Sequence, residues 1–313
     1  MLNKVMNAFQ AVSQFVKDGD VLYIGGFAAN ISYALLHEII RQNKKGLTIV
    51  TASFNEHADQ LIGAGCISRL VTSYCWMEVY GQCHSFRRAI EKGIPHPIEI
   101  EDYTNFSMTM RLWAGAVGVP FVPVNSIKGS DIPRYSSWMG ENKVKIIKDP
   151  FGSEIPYALV PALKPDVAIV HGHRADVRGN VQLWGQLGDI PWGANASRTV
   201  IASVEEVVDS EVIKHDPNRT YVPEFRVSAI VPEPWGSHPK PVQGYYDVDK
   251  QFIFDYINAS KTIDGWQGYM DKWVYGVKDR TEYIEKIIQN FGLKHLQQLR
   301  AKLYASSTVN YGY

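Results

Sequence analysis

Apolar positions along the chain follow two rhythms. Unbroken runs at residues 21–24, 47–50, 69–73, 157–160, 166–171, 181–184, 199–203 and 227–231 have the length and β-branched content of buried strands. Between several of them apolar residues recur every three or four positions, as on one face of a helix. Residues 32–41 show this best, with Leu35, Leu36, Ile39 and Ile40 on one side. Similar spacing marks residues 85–93 and 108–117, and Thr104 is placed to cap the second. Val5, Phe9, Val12 and Val16 predict an amphipathic helix at the start, and residues 59–65 a short helical piece stopped by glycine. From residue 250 the chain turns helical and charged, with segments at 252–257, 265–274, 281–291 and 293–303, and residues 306–313 read as a frayed tail. Strands alternating with helices over about 230 residues predict an α/β fold with an open, mostly parallel sheet flanked by helices. The helical C-terminal segment, 250–313, is expected to wrap the same domain, which spans 1–313.

Three stretches interrupt the alternation. Residues 74–81 are aromatic and sulfur-rich, so they need an apolar surface: this chain's own core, or a subunit or ligand face. Residues 125–152 are polar and turn-rich and read as an excursion over the surface. Residues 232–239, with three prolines, exclude regular structure.

The unit that organises the rest is strand 21–24, then Gly25 and Gly26, then the helix at 32–41. Glycine there permits positive φ and lets a ligand approach the main chain. The following helix turns unpaired N–H groups and a partial positive charge toward the same place. The pair serves a plain turn equally well, and G-x-G-x-x-G is absent.

Composition narrows the function classes. With 32 basic and 32 acidic residues the net charge is zero, which gives nucleic acid no basic footprint. No apolar run approaches the roughly 20 residues of a membrane span, and the N-terminus lacks a signal-peptide core. Cys66, Cys75 and Cys83 form no C-x-x-C pair, so neither a disulfide framework nor a zinc site is expected, and a reducing cytoplasm fits.

Candidate chemistry is sparse. G-x-S-x-G, H-E-x-x-H, Walker and kinase motifs are missing. His171 and His173 have metal-ligand spacing, but without a carboxylate constellation His171 reads as the end of a strand at the mouth of the sheet. Gly129 and Ser130 offer N–H groups and a hydroxyl to a developing oxyanion, or form an ordinary loop. Gly236, Ser237, His238 and Pro239 make a polar corner, either active-site wall or plain corner. Residues 176–180 read as a structural turn, and Arg87 with Arg88 as solvated surface. From its residues alone the chain has a glycine-lined loop and no self-contained nucleophile.

The ordered set of segments resembles the α (A) subunit of family I coenzyme A transferases, of the glutaconate and 3-oxoadipate type. The segments are 18–20 leading to Gly25, Gly26 and Phe27; 37–42; 59–66; 119–121 with 129–131; 165–171; 175–176 with 179–181; and 236–239 with Tyr245 and Tyr246. Ile31 and Tyr33 stand where the family's glycine signature continues with Gly and Pro, a departure that bears on the acyl pocket. The resemblance implies a NagB/RpiA/CoA-transferase-like fold, no permanently bound cofactor, and a coenzyme A thioester as substrate. It implies CoA transfer to a small acid, expected to be dicarboxylic, through a glutamyl-CoA thioester. The nucleophilic glutamate would belong to a β (B) subunit, leaving no catalytic residue and no metal in this chain. Gly25, Gly26, Phe27, Gly129, Ser130, His171, Gly236 and His238 would line the cleft. Ring-opening CoA hydrolases share the scaffold but carry an acid near the position of Asn105, where Glu101 and Asp102 are only neighbours. A non-enzymatic metabolite-binding protein is a further alternative.

Overall fold

The structure is a computed structural model that describes residues 3–135 and 138–302; the expected tail at 306–313 and the end of the helix at 293–303 lie outside them. After α1 (Ala8–Phe15) the chain alternates through β1 (Val21–Ile24), α2 (Tyr33–Arg41), β2 (Leu47–Thr51), α3 (Glu56–Gly63), β3 (Ile67–Thr72), α4 (His84–Lys92), β4 (Glu99–Asp102) and α5 (Asn105–Val117). An insertion carries β5 (Phe121–Val124), β6 (Lys145–Ile147) and β7 (Tyr157–Pro161). The alternation resumes with β8 (Val167–Ala175), β9 (Val181–Gln182), α6 (Ile190–Ala196), β10 (Thr199–Val207), α7 (Ser210–Lys214), β11 (Thr220–Val222) and β12 (Val227–Pro232). The C-terminal part holds α8 (Lys250–Ser260), α9 (Ile263–Met270) with a π turn after it, α10 (Arg280–Phe291) and α11 (Leu293–Leu299).

The main sheet runs β4-β3-β2-β1-β8-β10-β12, parallel throughout. Short β9 and β11 add antiparallel pairs at the carboxyl end of β8. The expected surface excursion contributes β6 to a separate antiparallel sheet, β5-β7-β6. Side chains alternate across β1, so Leu22 and Ile24 face one layer and Tyr23 the other. Leu22 and Ile24 join Leu35 and Ile39 of α2 and the aromatic helices of the C-terminal part, Phe252, Tyr256, Trp273 and Tyr283. Tyr23 joins Met108 and Leu112 of α5, Ile190 and Ala194 of α6, and the small sheet's Val122 and Val160.

Three local differences from the sequence expectation have physical reasons. β8 continues past His171 to Ala175, because β10 pairs with it along that whole length and the polar residues find partners there. α6 escapes helical periodicity because it is short and holds Pro191 and Gly193. Proline is tolerated in a first turn, and Gly193 lets the helix lie against the Tyr23 ring. The 74–81 loop is divided: Met77 is buried in the core, while Trp76 and Val79 are exposed. Among the described residues no helix is long and apolar enough to cross a membrane.

Gly115 brings α5 so close to the chain entering β8 that a methyl group would overlap the Leu163 carbonyl. Gly115→Ala should therefore destabilise the fold by about 1–3 kcal/mol through overpacking. Urea unfolding measures this, and an unchanged midpoint would refute the contact.

Candidate functional site

The sheet reverses its strand order between β1 and β8: β2, β3 and β4 follow on one side, β10 and β12 on the other. Crevices at such points, beyond the carboxyl ends of the strands, are where α/β sheets bind ligands. Gly25 and Gly26 lie there. The Gly25 N–H donates to the Ile169 carbonyl at 2.9 Å, and a Cβ on Gly25 would sit 3.1 Å from both Val170 and Ile190. Gly26 has φ +116°, and its Cβ would lie 2.6 Å from the Ala29 carbonyl oxygen and from Ile31. Only glycine fits both conditions. Ala28 and Asn30 also have positive φ, +61° and +57°, so the loop is held in an uncommon shape. Phe27 is 37% exposed and rests against Gly188, where a Cβ would come within 2.8 Å of its own.

The 232–241 corner ties this loop down. Ser237 Oγ accepts from the Ile31 N–H, the Pro241 carbonyl from the Asn30 N–H, and the Gly236 carbonyl from the Ala34 N–H, each at 3.0 Å. Gly236 also touches the His171 ring, from which a Cβ would be 2.7 Å away. A buried chain of hydrogen bonds runs outward from the loop. Ser32 Oγ meets Ser203 Oγ at 2.6 Å, Ser203 Oγ meets His171 Nδ1 at 2.7 Å, and His171 Nε2 meets Glu205 Oε1 at 2.8 Å. Glu205 further accepts from the Tyr246 hydroxyl at 2.7 Å and the Trp235 N–H at 2.8 Å. At the Glu205 end a pocket of about 280 Å³ opens between Glu206, Trp235, Tyr245 and Arg300.

The structure thus gathers Gly25, Gly26, Phe27, His171 and Gly236. His171 spends both ring nitrogens on structural partners. His238 lies elsewhere: it is fully buried, with Nδ1 on the Tyr283 hydroxyl at 2.9 Å and Nε2 on Asp249 at 3.0 Å. Burial pushes its imidazole down to about 4 despite Asp249, so it is neutral at physiological pH. Gly129 and Ser130 belong to the insertion. Ser130 Oγ donates to the Ile127 carbonyl at 2.7 Å, and among the described residues no hydrogen bond joins this loop to Gly25 or Gly26. His173 stacks on Trp184, with ring centroids 3.9 Å apart, and no cluster of metal-ligating residues is found among the described residues.

Sequence reading missed Ser203 and Glu205, although they alternate along one strand face opposite His171. It also missed Asp189, which the tertiary structure brings beneath the glycine loop. The Tyr23 hydroxyl donates to Asp189 Oδ1 at 2.8 Å in a fully buried contact. Burial raises the Asp189 carboxyl to about 6. The unfolded chain releases this proton near 3.8, so the stability carried by the neutral form is complete below that value and is lost as pH rises through about 6. Asp189→Asn, neutral at every pH, should raise the melting temperature relative to the native chain by more at pH 8 than at pH 4. Thermal melts at the two pH values decide it; the same offset at both would contradict the assignment.

The comparison with known families agrees with this geometry. The coenzyme A transferase family model matches residues 5–233. The chain belongs to the coenzyme A transferase family. It is 36% identical over 280 residues to the α (A) subunit of 3-oxoadipate CoA-transferase from Pseudomonas knackmussii, covering 90% of this chain and 96% of that protein. The glutaconate CoA-transferase structure from Acidaminococcus fermentans superposes with a TM-score of 0.88 at 30% identity, covering 97% of this chain and 98% of that one. An uncharacterized protein of Archaeoglobus fulgidus is 37% identical over 302 residues, covering 96% of this chain, which spans 65% of that longer relative. As a member of the α type, this CoA-transferase polypeptide places its family's glycine motif at the reversal of the sheet.

Proposed function

We propose that this chain is the α subunit of a heteromeric CoA-transferase, moving CoA from a donor such as acetyl-CoA or succinyl-CoA to a small dicarboxylic acid. The observation that carries the reading is a backbone-lined crevice whose nearby acid and base are already committed. Glu205 accepts from His171, Tyr246 and Trp235, and His171 has no free nitrogen. The nucleophile then comes from a β subunit. A glutamate carboxylate of that subunit attacks the thioester carbonyl and expels CoA thiolate, leaving an acyl-glutamyl anhydride. The thiolate attacks the glutamyl carbonyl, releasing the donor acid and forming the glutamyl-CoA thioester. The acceptor carboxylate then runs the two steps in reverse. Each addition develops an oxyanion, for which main-chain N–H groups of a preformed loop are suited. The partly exposed Phe27, Tyr74 and Trp76, with Val79 almost fully exposed, supply apolar surface for a companion chain. Two relatives named for 3-oxoadipate and glutaconate, both dicarboxylates, support the acceptor class.

No observation favours hydrolysis over transfer. Asn105 accepts a hydrogen bond from Ser73, and the neighbouring Glu101 is buried against Lys143 at 3.5 Å, on the edge strand β4.

The chain assembled with its β subunit should exchange CoA between acetyl-CoA and a dicarboxylate, and the isolated chain should not. Gly26→Ala should lower kcat by roughly 10²-fold through displacement of the loop. Full transfer by the chain alone would overturn the reading. CoA release without an acceptor would favour a hydrolase, and acyl-CoA binding without turnover a sensor.

A further inference from the structure

Behind the glycine loop lies a buried polar cluster that the reaction scheme above leaves unused. Lys240 is fully buried; its ammonium lies 2.6 Å from Glu78 and 3.3 Å from Glu56. Burial works against its charge, but the two carboxylates outweigh burial and hold Lys240 above its ordinary value. Around this ion group stand Asn30, Tyr33 and His57, each at most 1% exposed. The Asn30 amide, the Tyr33 hydroxyl and both His57 ring nitrogens have no hydrogen-bond partner among the described residues, and Glu56 holds Lys240 only as an ion pair. Burial first, and Glu56 second, keep the proton on Tyr33, so its hydroxyl is a donor. These groups are neighbours: the Tyr33 and His57 rings meet edge-on at 6.2 Å, and Asn30 is bonded through its N–H to Pro241, next to Lys240. Buried donors without acceptors are rare in folded proteins, and several in one place mark a site built to receive a polar group.

Resting on the dicarboxylate reading above, we propose that Lys240 is the seat for the distal carboxylate of the acid substrate and that Glu78 is the plug this carboxylate displaces. Glu78 is the member able to leave. It sits in the 74–81 loop at φ +53°, its side chain is 26% exposed, and its neighbour Val79 is 91% exposed. Glu56 is fixed in the first turn of α3 and stays as the permanent counter-ion. Exchanging one carboxylate for another leaves the buried charge unchanged, so no ion is left unpaired. A carboxylate offers about four lone-pair sites, enough to engage Lys240 and the waiting donors of Asn30, Tyr33 and His57 together. A monocarboxylic acid brings nothing to this seat and leaves Glu78 in place.

Calorimetry on the enzyme assembled with its β subunit tests this with glutarate and pentanoate, which have equal carbon counts. Glutarate should bind about tenfold or more tightly than pentanoate. Glu78→Gln should tighten glutarate by about fivefold and leave pentanoate unchanged, since a neutral amide competes less for the ammonium. Lys240→Met should remove the discrimination; because that change strands two buried acids, Glu78→Gln at the partly exposed position keeps the test independent of folding. Equal binding of the two acids, or weaker glutarate binding by Glu78→Gln, overturns the proposal. An enzyme that transfers CoA to both acids alike would sink the seat and leave the transferase reading standing. Glutarate binding that responds to Glu78→Gln without CoA transfer would do the opposite.

Discussion

Everything at the candidate site depends on how β1 is set against β8. The Gly25 N–H bonded to the Ile169 carbonyl ends the ladder at the position where the sheet reverses direction. A residue with a side chain at Gly25 would press on Val170 and Ile190, moving the strand or α6. That tight junction sends the next residues into a loop with φ values of +116°, +61° and +57°, which the chain keeps only because the surroundings leave no alternative. The 232–241 corner supplies that restraint through three hydrogen bonds, so a loop from the end of the sheet holds a loop from its beginning.

The same corner organises the buried polar groups. His171, Ser203 and Glu205 form one saturated network, and Lys240 with Glu56 forms an ion group a few residues along. The two behave differently. In the first, every polar atom with a role has a partner, so it contributes rigidity and sets the tilt of Gly236 against the loop. In the second, donors are waiting. A fold that tolerates unsatisfied groups next to its glycine loop, while satisfying them one strand away, separates the scaffold of the site from its recognition surface.

His238 shows why the residue type alone misleads. Its neighbours in sequence line the glycine loop, yet its own side chain points into the aromatic core between Phe252, Tyr283 and Asp249. The helices of the C-terminal part bring that about, by enclosing the corner and removing the imidazole from water. Conversely, Asp189 follows an ordinary turn residue, Gly188, and acquires its raised carboxyl only from burial beside Tyr23.

The alternation of strands and helices, the parallel sheet, the glycine turn after β1 and the family motifs were all legible in the linear chain, because each is written in local periodicity or in adjacent residues. The carboxyl half of β8, the short α6 and the third strand of the small sheet were not, since long-range pairing and packing form them against weak local preference. Which polar residues share a space became visible only in the folded molecule. Tyr33, Glu56, Glu78 and Lys240 come from four segments, and the desolvation that gives their charges meaning does not exist until the chain has closed around them.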